Sequence, residues 1–108
     1  MNCEQGIKIS REFMEKVDDS GEKIFGEACL RVGLEAFYQV KVGCSVIDYK
    51  VRTKKGNYKL VEVTMLERGD AMKNERKGRQ IENMQKSGLA YCLLCSRELL
   101  NIRRCNGK

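Results

Sequence analysis

The feature that most constrains this chain is a predicted β-hairpin with an acidic residue in each strand. Residues 44–53 and 58–65 are rich in Val, Ile and Tyr, and residues 54–56 form a three-residue loop that ends in glycine. In that register Asp48 lies directly across from Glu62. Like charges opposed on adjacent strands are destabilising by about 0.2–1 kcal/mol. The pair therefore indicates either a cation held between the two carboxylates or a carboxyl group with a shifted pKa.

Length and composition predict one globular domain. The chain has 108 residues, of which 42% are hydrophobic and 33% charged, so we expect a single domain over 1–108 with its core at about 20–96. Neither end carries an apolar stretch long enough for a membrane span or a signal peptide, which predicts a cytoplasmic protein with no membrane partner. Histidine is absent, which excludes histidine triads, histidine general bases and histidine metal ligands.

Six cysteines are many for this length, but their pattern does not favour a metal or redox protein. Without a signal sequence we expect reduced thiols. Cys92 and Cys95 have the spacing of a zinc-ligand pair, yet leucines separate them in a strand-like run, where positions three apart point to opposite faces. Zinc found in the isolated protein by elemental analysis would instead favour a cysteine-based metal or redox protein.

Charge is distributed unevenly along the chain. Residues 1–35 carry five Lys or Arg and eight Asp or Glu, a net charge of −3, whereas residues 36–108 carry sixteen and seven, a net charge of +9. A basic surface on one part of a domain is the footprint expected for contacts with phosphate groups. Nucleic acid is therefore the expected partner, although a basic surface can also serve solubility alone.

Periodicity and capping signals predict the order α-β-β-β-α-β-α, with one additional short helix over residues 10–17. The helix between the third and fourth strands implies a crossover connection, so we expect a mixed four-stranded sheet flanked by helices. One sheet face should carry the deeper core, formed by Ile47, Tyr49, Val51, Val61, Val63 and Met65. The predicted helices are 20–32, 71–86 and 97–104, the strands are 36–42, 44–53, 58–65 and 90–95, and residues 67–70 form a loop.

This order, with Asp48 in the second strand and Glu62 in the third, resembles the PD-(D/E)XK nuclease superfamily. The resemblance runs from about residue 21 to residue 95 and is greatest to small nucleases of the four-way-junction resolvase and very-short-patch repair type. It implies an α/β (α+β) fold with an αβββαβ restriction-endonuclease-like core. It also implies a metal-dependent endonuclease that hydrolyses phosphodiester bonds in DNA, with Mg²⁺ or Mn²⁺ bound by Asp48, Glu62 and the backbone carbonyl of Val63.

The chemistry supports the same two acids independently of the resemblance. Phosphodiester hydrolysis requires neutralised charge on the phosphate and an activated water, and a divalent ion supplies both. Mg²⁺ binds one or two carboxylates together with waters and phosphate oxygens. Glu22, in the first predicted helix, is a possible further metal ligand, and its alternative role is to cap that helix.

One position departs from the family pattern. The lysine expected two residues after Glu62 is Thr64 here, and that lysine helps to activate the water and stabilise the transition state. Lys77 is the favoured replacement and Lys73 the next, because both lie on the following helix, while Lys50 shares the strand face of Asp48. If no lysine reaches the site, the alternative is a non-catalytic nucleic-acid-binding or protein-interaction module on the same fold.

Contacts with nucleic acid are expected along the basic helix. Its candidates are Lys73, Arg76, Lys77, Arg79 and Gln80. The basic residues Arg103, Arg104 and Lys108 near the C-terminal end are further candidates for phosphate contacts. A chain this small covers little duplex, so a homodimer that acts on two strands is a plausible assembly.

Overall fold

The apolar runs assemble into one mixed sheet in the computed structural model, which describes residues 3–4 and 6–106. The order across the sheet is β1-β3-β4-β5-β6, and β2 pairs with β3 beside β1, so the sheet is five strands wide. Only β5 and β6 are parallel. The strands are β1 (Cys3–Glu4), β2 (Ile7–Lys8), β3 (Ala36–Val42), β4 (Ser45–Arg52), β5 (Tyr58–Val63) and β6 (Ala90–Leu94).

The α+β class and the mixed sheet are confirmed, but the predicted four-stranded sheet was too narrow. The four predicted strands are β3 to β6, and β1 and β2 extend the sheet on the outer edge of β3. Each added strand has two residues. A two-residue strand is too short for alternation to be visible in a sequence, which explains why the pattern did not predict it.

Helices flank the sheet, and α2 matches its prediction. Asp19 caps this helix by accepting the backbone N–H of Glu22, and Gly33 ends it in a left-handed conformation with φ 76°. No helix in the described residues is both long enough and apolar enough to cross a membrane. The helices are α1 (Arg11–Glu15), α2 (Ser20–Val32), α3 (Arg68–Lys73), α4 (Glu75–Lys86) and α5 (Ser96–Asn106).

The helix predicted over residues 71–86 is in fact two helices, and the loop predicted over residues 67–70 was wrong because α3 begins at Arg68. Asn74 separates α3 from α4 with an extended backbone (φ −81°, ψ 120°), and its side chain accepts the backbone N–H of Lys77 at 3.0 Å. An asparagine with this geometry is a strong N-cap, so it ends one helix and begins the next.

The hairpin between β4 and β5 has the predicted register. Arg52 pairs with Tyr58, and the backbone N–H of Thr53 donates to the carbonyl of Asn57 at 2.7 Å. Gly56 has φ 89°, the positive value that a three-residue hairpin loop requires of its last residue. The register that places Asp48 opposite Glu62 follows from these pairs.

The expected core face is only partly as predicted. Tyr49, like Val51, Val61 and Val63, belongs to the cluster under α1, α2 and α5, whereas Ile47 packs on the opposite face with Met84 of α4. Met65 is exposed. Side-chain alternation breaks between Tyr49 and Ile47, at the level where Gln39 of β3 has φ 55°. This local distortion lies beside Asp48, which is the residue between them.

Candidate functional site

Asp48 and Glu62 are joined where the paired ladder of β4 and β5 ends. The last pair at this end is Tyr49 with Val61. Beyond it, the backbone N–H of Asp48 donates to Glu62 Oε1 at 2.9 Å, and the backbone N–H of Val63 donates to Asp48 Oδ2 at 2.9 Å. The two carboxylates therefore accept backbone N–H groups in place of the carbonyl oxygens of a regular ladder. These two hydrogen bonds hold both side chains at the same end of the β4–β5 pair.

The site lies in a poorly solvated part of the protein. Glu62 has no exposed surface and Asp48 is only partly exposed. The pKa of Asp48 is raised to about 7, chiefly by burial and next by the negative charge of Glu62, while the hydrogen bond from Val63 and the charge of Lys77 oppose the shift. The carboxyl pair thus has both features expected for opposed acids in a hairpin, a shifted pKa and a nearby cation.

That cation is Lys77, the favoured of the candidate lysines. The Asn74 cap sets the first turn of α4 against the end of β5, so the Lys77 side chain extends to the acids. Its Nζ lies 2.5 Å from Glu62 Oε2 and 3.2 Å from the carbonyl oxygen of Val63. The Lys77 side chain is 18% exposed, so the ion pair is largely shielded from solvent.

The other candidate lysines lie elsewhere. Lys73 is exposed at the end of α3 and makes no ion pair within the described part of the chain. Lys50 is buried with its Nζ 4.8 Å from the ring centre of Tyr58 and 5.6 Å from that of Phe37. Cation–π contacts therefore hold Lys50 in an aromatic environment away from Glu62.

A small basic cavity is lined by residues of α4 and of the start of β4. Its volume is about 300 Å³, and it is lined by Cys44, Ser45, Val46, Arg76, Arg79 and Gln80. Gln80 is buried and donates from Nε2 to the carbonyl of Val46 at 3.0 Å. Its Oε1 is buried and has no hydrogen-bond partner in the described residues. Arg76 and Arg79 are exposed. Three of the predicted nucleic-acid residues, Arg76, Arg79 and Gln80, thus border one depression, and its lining on β4 ends at Val46, two residues before Asp48.

Glu22 approaches the site without joining it directly. Its carboxylate accepts a hydrogen bond from the Tyr38 hydroxyl, and its backbone carbonyl accepts one from the Tyr49 hydroxyl at 2.7 Å. Burial raises the pKa of Glu22, and the charge of Asp48 adds to the shift. Glu22 is therefore within electrostatic reach of Asp48, while its side chain is held by Tyr38.

The donor atoms at this end of the sheet are suited to a hard divalent ion. No three His, Cys, Asp or Glu residues among residues 3–4 and 6–106 form a group that could hold a metal. The available protein ligands are the two carboxylates and the Val63 carbonyl, and two of these groups already share one cation, the Lys77 ammonium. Mg²⁺ accepts such a sparse oxygen set because it keeps several waters.

The two spaced cysteines pack in different parts of the core. Cys92 packs against the cluster that contains Tyr49, whereas Cys95 is buried in a separate cluster with Ala71 and Leu93. Both thiols are free. The prediction that Cys92 and Cys95 do not face the same side is confirmed.

Two of the basic residues near the C-terminal end, Arg103 and Arg104, lie on α5, away from the acids and α4. Arg103 and Arg104 are exposed in the last turn of α5, and Lys108 lies outside the described residues.

Sequence reasoning missed two residues that position this site. Asn74 sets the start of α4, and an asparagine before a charged helical segment is a signal that could have revealed the break. Tyr38 holds Glu22 through a contact between residues 16 positions apart, and no local pattern predicts such a contact.

The chain matches no family model, and no curated protein or solved structure is significantly similar to it.

Proposed function

We propose that this protein is a metal-dependent endonuclease that hydrolyses phosphodiester bonds in DNA. The observation that carries the proposal is the convergence of Asp48, Glu62 and Lys77 at the end of the β4–β5 ladder. A partly buried aspartate of raised pKa beside a buried glutamate and a lysine is a typical catalytic arrangement. The resemblance to PD-(D/E)XK nucleases supports the same assignment.

In this proposal Asp48, Glu62 and the Val63 carbonyl hold Mg²⁺ or Mn²⁺. Such an ion supplies charge neutralisation on the phosphate and a water of lowered pKa. The hydrogen bonds between the two acids and the backbone hold the carboxylates in place before the ion arrives. Preorganised oxygens reduce the reorganisation needed for binding, which supports Asp48 and Glu62 as ligands over exposed acids elsewhere.

Lys77 would stabilise the charge that develops on the phosphate. An ammonium group has three donors, and the two contacts of Lys77 with Glu62 and Val63 leave one for a phosphate oxygen or a water. The lysine therefore has the donor capacity that the resemblance implies for a lysine at position 64. Burial strengthens its electrostatic effect because little solvent screens it.

Arg76 and Arg79 would bind the neighbouring phosphates. Both are exposed and line the cavity at the start of β4, and guanidinium groups suit bidentate contacts with phosphate oxygens. Lys73 and Gln80 would extend the same surface along α3 and α4. Such contacts position the strand without reading its sequence.

The test is cleavage of supercoiled plasmid and of a four-way junction with Mg²⁺, with Mn²⁺ and with a chelator. We expect metal-dependent cleavage by the wild type, and a loss of at least a hundredfold in Asp48→Asn. Asp70→Asn is the matched control, because Asp70 is an exposed acid in α3. Cleavage by Asp48→Asn at the wild-type rate would exclude this mechanism.

A non-catalytic nucleic-acid-binding module is the second candidate. It is favoured by Thr64 at the family's lysine position and by the Lys77 contact, which neutralises Glu62 with a cation from the chain itself. This candidate predicts DNA affinity that falls steeply with salt. It also predicts no cleavage by the wild type with either metal, so the same assay separates the two functions.

A homodimer that acts on two strands also belongs to the proposal. Size-exclusion chromatography with light scattering would measure the mass of the protein with and without a four-way junction. A monomeric mass in both conditions would remove the dimer while leaving the assignment of the site intact.

A further inference from the structure

The ammonium group of Lys77 occupies the oxygens that the proposed function assigns to a metal. Its Nζ contacts Glu62 Oε2 at 2.5 Å and the Val63 carbonyl at 3.2 Å. These are the contacts that a monovalent cation would make in the same place. A divalent ion bound to both oxygens would lie close to the ammonium, and two cations only a few ångströms apart in a buried site repel strongly.

We propose that Lys77 is a built-in competitor for the metal, so that the ammonium and the divalent ion bind Glu62 Oε2 and the Val63 carbonyl alternately. This inference rests on the metal site of the proposed function. It adds that the chain keeps the site filled with its own cation until a divalent ion displaces it. The affinity of the site for metal is then lowered by the work of moving Lys77 away.

The burial of Glu62 explains why the site would keep a cation at all times. Glu62 has no exposed surface, and removing one partner of a buried ion pair is strongly unfavourable because the other charge is left unpaired. Departure of the Lys77 ammonium with nothing in its place is therefore unfavourable. An exchange in which the incoming divalent ion replaces the ammonium as the counter-charge of Glu62 avoids that cost.

The attachment of Lys77 allows such an exchange. The backbone of Lys77 is held by the Asn74 cap, while its side chain is a flexible four-carbon stem that is 18% exposed. The ammonium can consequently swing toward solvent without movement of α4.

The experiment measures Mn²⁺ binding without nucleic acid, by electron paramagnetic resonance and by the rise in thermal midpoint on adding Mn²⁺. The variants are Lys77→Met, which keeps the stem and removes the ammonium, and Lys73→Met. The second variant removes the same charge from an exposed residue of α3. We expect Lys77→Met to bind Mn²⁺ at least tenfold more tightly than the wild type, and Lys73→Met to remain within about twofold.

If Lys77→Met and Lys73→Met both bound Mn²⁺ more tightly than the wild type by the same factor, the competition would be overturned. The loss of one positive charge from the protein surface would then explain the higher affinity. Unchanged affinity in Lys77→Met would overturn the competition too, while Mn²⁺ binding by the wild type would leave the proposed metal site standing. Absence of Mn²⁺ binding in every protein would overturn both proposals. Binding by Lys77→Met alone would support complete competition.

A crystal of the wild type soaked in Mn²⁺ keeps the test decisive if Lys77→Met does not fold. We expect the soaked ion beside Glu62, with the Lys77 Nζ more than about 4 Å from Glu62 Oε2. An ion bound to Glu62 and Val63 with both ammonium contacts intact would overturn the competition and support the metal site. Soaked crystals with no ion beside Asp48 or Glu62 would overturn both.

Discussion

The buried carboxylate of Glu62 accepts the backbone N–H of Asp48 at 2.9 Å, so the strongest candidate for a metal ligand is also a structural part of the sheet. The other carboxylate oxygen of Glu62 accepts a hydrogen bond from the Lys77 ammonium. One side chain therefore continues the β4–β5 pairing and attaches α4 to β5. The metal-ligand role proposed for Glu62 and the stability of the folded protein therefore depend on the same side chain, so a substitution of Glu62 should affect both.

Glu62→Ala should lower the free energy of unfolding by about 3–5 kcal/mol. The change leaves the Lys77 ammonium partly buried without its counter-charge, and it removes the acceptor for the Asp48 amide. Glu62→Gln keeps an acceptor oxygen for that amide, so its loss should be smaller. Urea unfolding followed by circular dichroism, in the presence of a chelator, measures both.

Glu82→Ala is the matched control for this prediction. Glu82 is exposed on α4 and pairs with Lys86 one turn later, and such surface pairs contribute about 0.3–0.5 kcal/mol. If Glu62→Ala were no more destabilising than Glu82→Ala, the buried ion pair would not be present in the folded protein.

Stability should fall as pH rises from about 4 to about 7, in part because of Asp48. Its pKa is raised to about 7 in the folded protein from an ordinary value of 3.8. In that interval the folded state holds a proton that the unfolded state has released, so rising pH favours unfolding by up to about 1.4 kcal/mol per unit. Below the interval both states are protonated, and above it both are ionised.

The contribution of Asp48 is the difference between the pH profiles of the wild type and Asp48→Asn, measured by urea unfolding in a chelator. The wild type should lose stability relative to the variant as pH increases across the interval. Parallel profiles would show that Asp48 has an ordinary pKa in the folded state. A difference of opposite slope would show that Lys77 dominates and that the pKa is lowered.

The sequence was sufficient to predict the elements that depend on local signals. Helix α2 has a capping aspartate and a terminal glycine, and the hairpin has a short loop with glycine at the required position. The placement of Asp48 opposite Glu62 followed from that loop alone. These features depend on residues close together in the chain, where capping and turn preferences are decisive.

Features that depend on distant contacts were predicted less well. Tyr49 and Ile47 lie on opposite faces of the sheet, although alternation predicts the same face. This break accompanies a positive φ at Gln39, a residue with no intrinsic preference for that conformation. Among the candidate lysines, only tertiary packing of α4 against β5 distinguishes Lys77 from Lys73. Periodicity places a residue on a helix, but it does not say which neighbour that helix will meet.

Gly26→Ala should destabilise the protein by about 1–3 kcal/mol. A Cβ at this position of α2 would lie 2.3 Å from Met14 Cε and 2.6 Å from the Tyr49 hydroxyl oxygen. Met14 and Tyr49 are both buried, so accommodating the methyl group requires displacement of packed side chains. Thermal unfolding of the variant should show a lower midpoint than that of the wild type.

Gly78→Ala is the counterpart in α4 and should have the opposite effect. Nothing lies within 4 Å of a Cβ built at Gly78, and glycine within a helix costs about 0.5–1 kcal/mol relative to alanine. The midpoint should therefore rise. A fall would indicate that the N-terminal half of α4 is not helical, which would remove the basis for placing Lys77 beside Glu62.

Asn74→Ala should lower both stability and the activity attributed to Lys77. The Asn74 side chain accepts the backbone N–H of Lys77 at 3.0 Å and begins α4 at the residue that follows. Loss of an N-cap costs about 1 kcal/mol, and fraying of the first turn would release the backbone that holds Lys77 against Glu62. We therefore expect slower DNA cleavage together with a lower midpoint of unfolding.

Asn74→Asp distinguishes the cap from other roles of this residue, because an aspartate keeps the acceptor oxygen and also complements the positive end of the helix dipole. It should retain the stability of the wild type and most of its cleavage rate. If Asn74→Asp lost as much activity as Asn74→Ala while remaining stable, Asn74 would act on the nucleic acid directly and not through Lys77. Equal stability of all three proteins would instead show that α3 and α4 form one continuous helix, as the hydrophobic periodicity alone predicts.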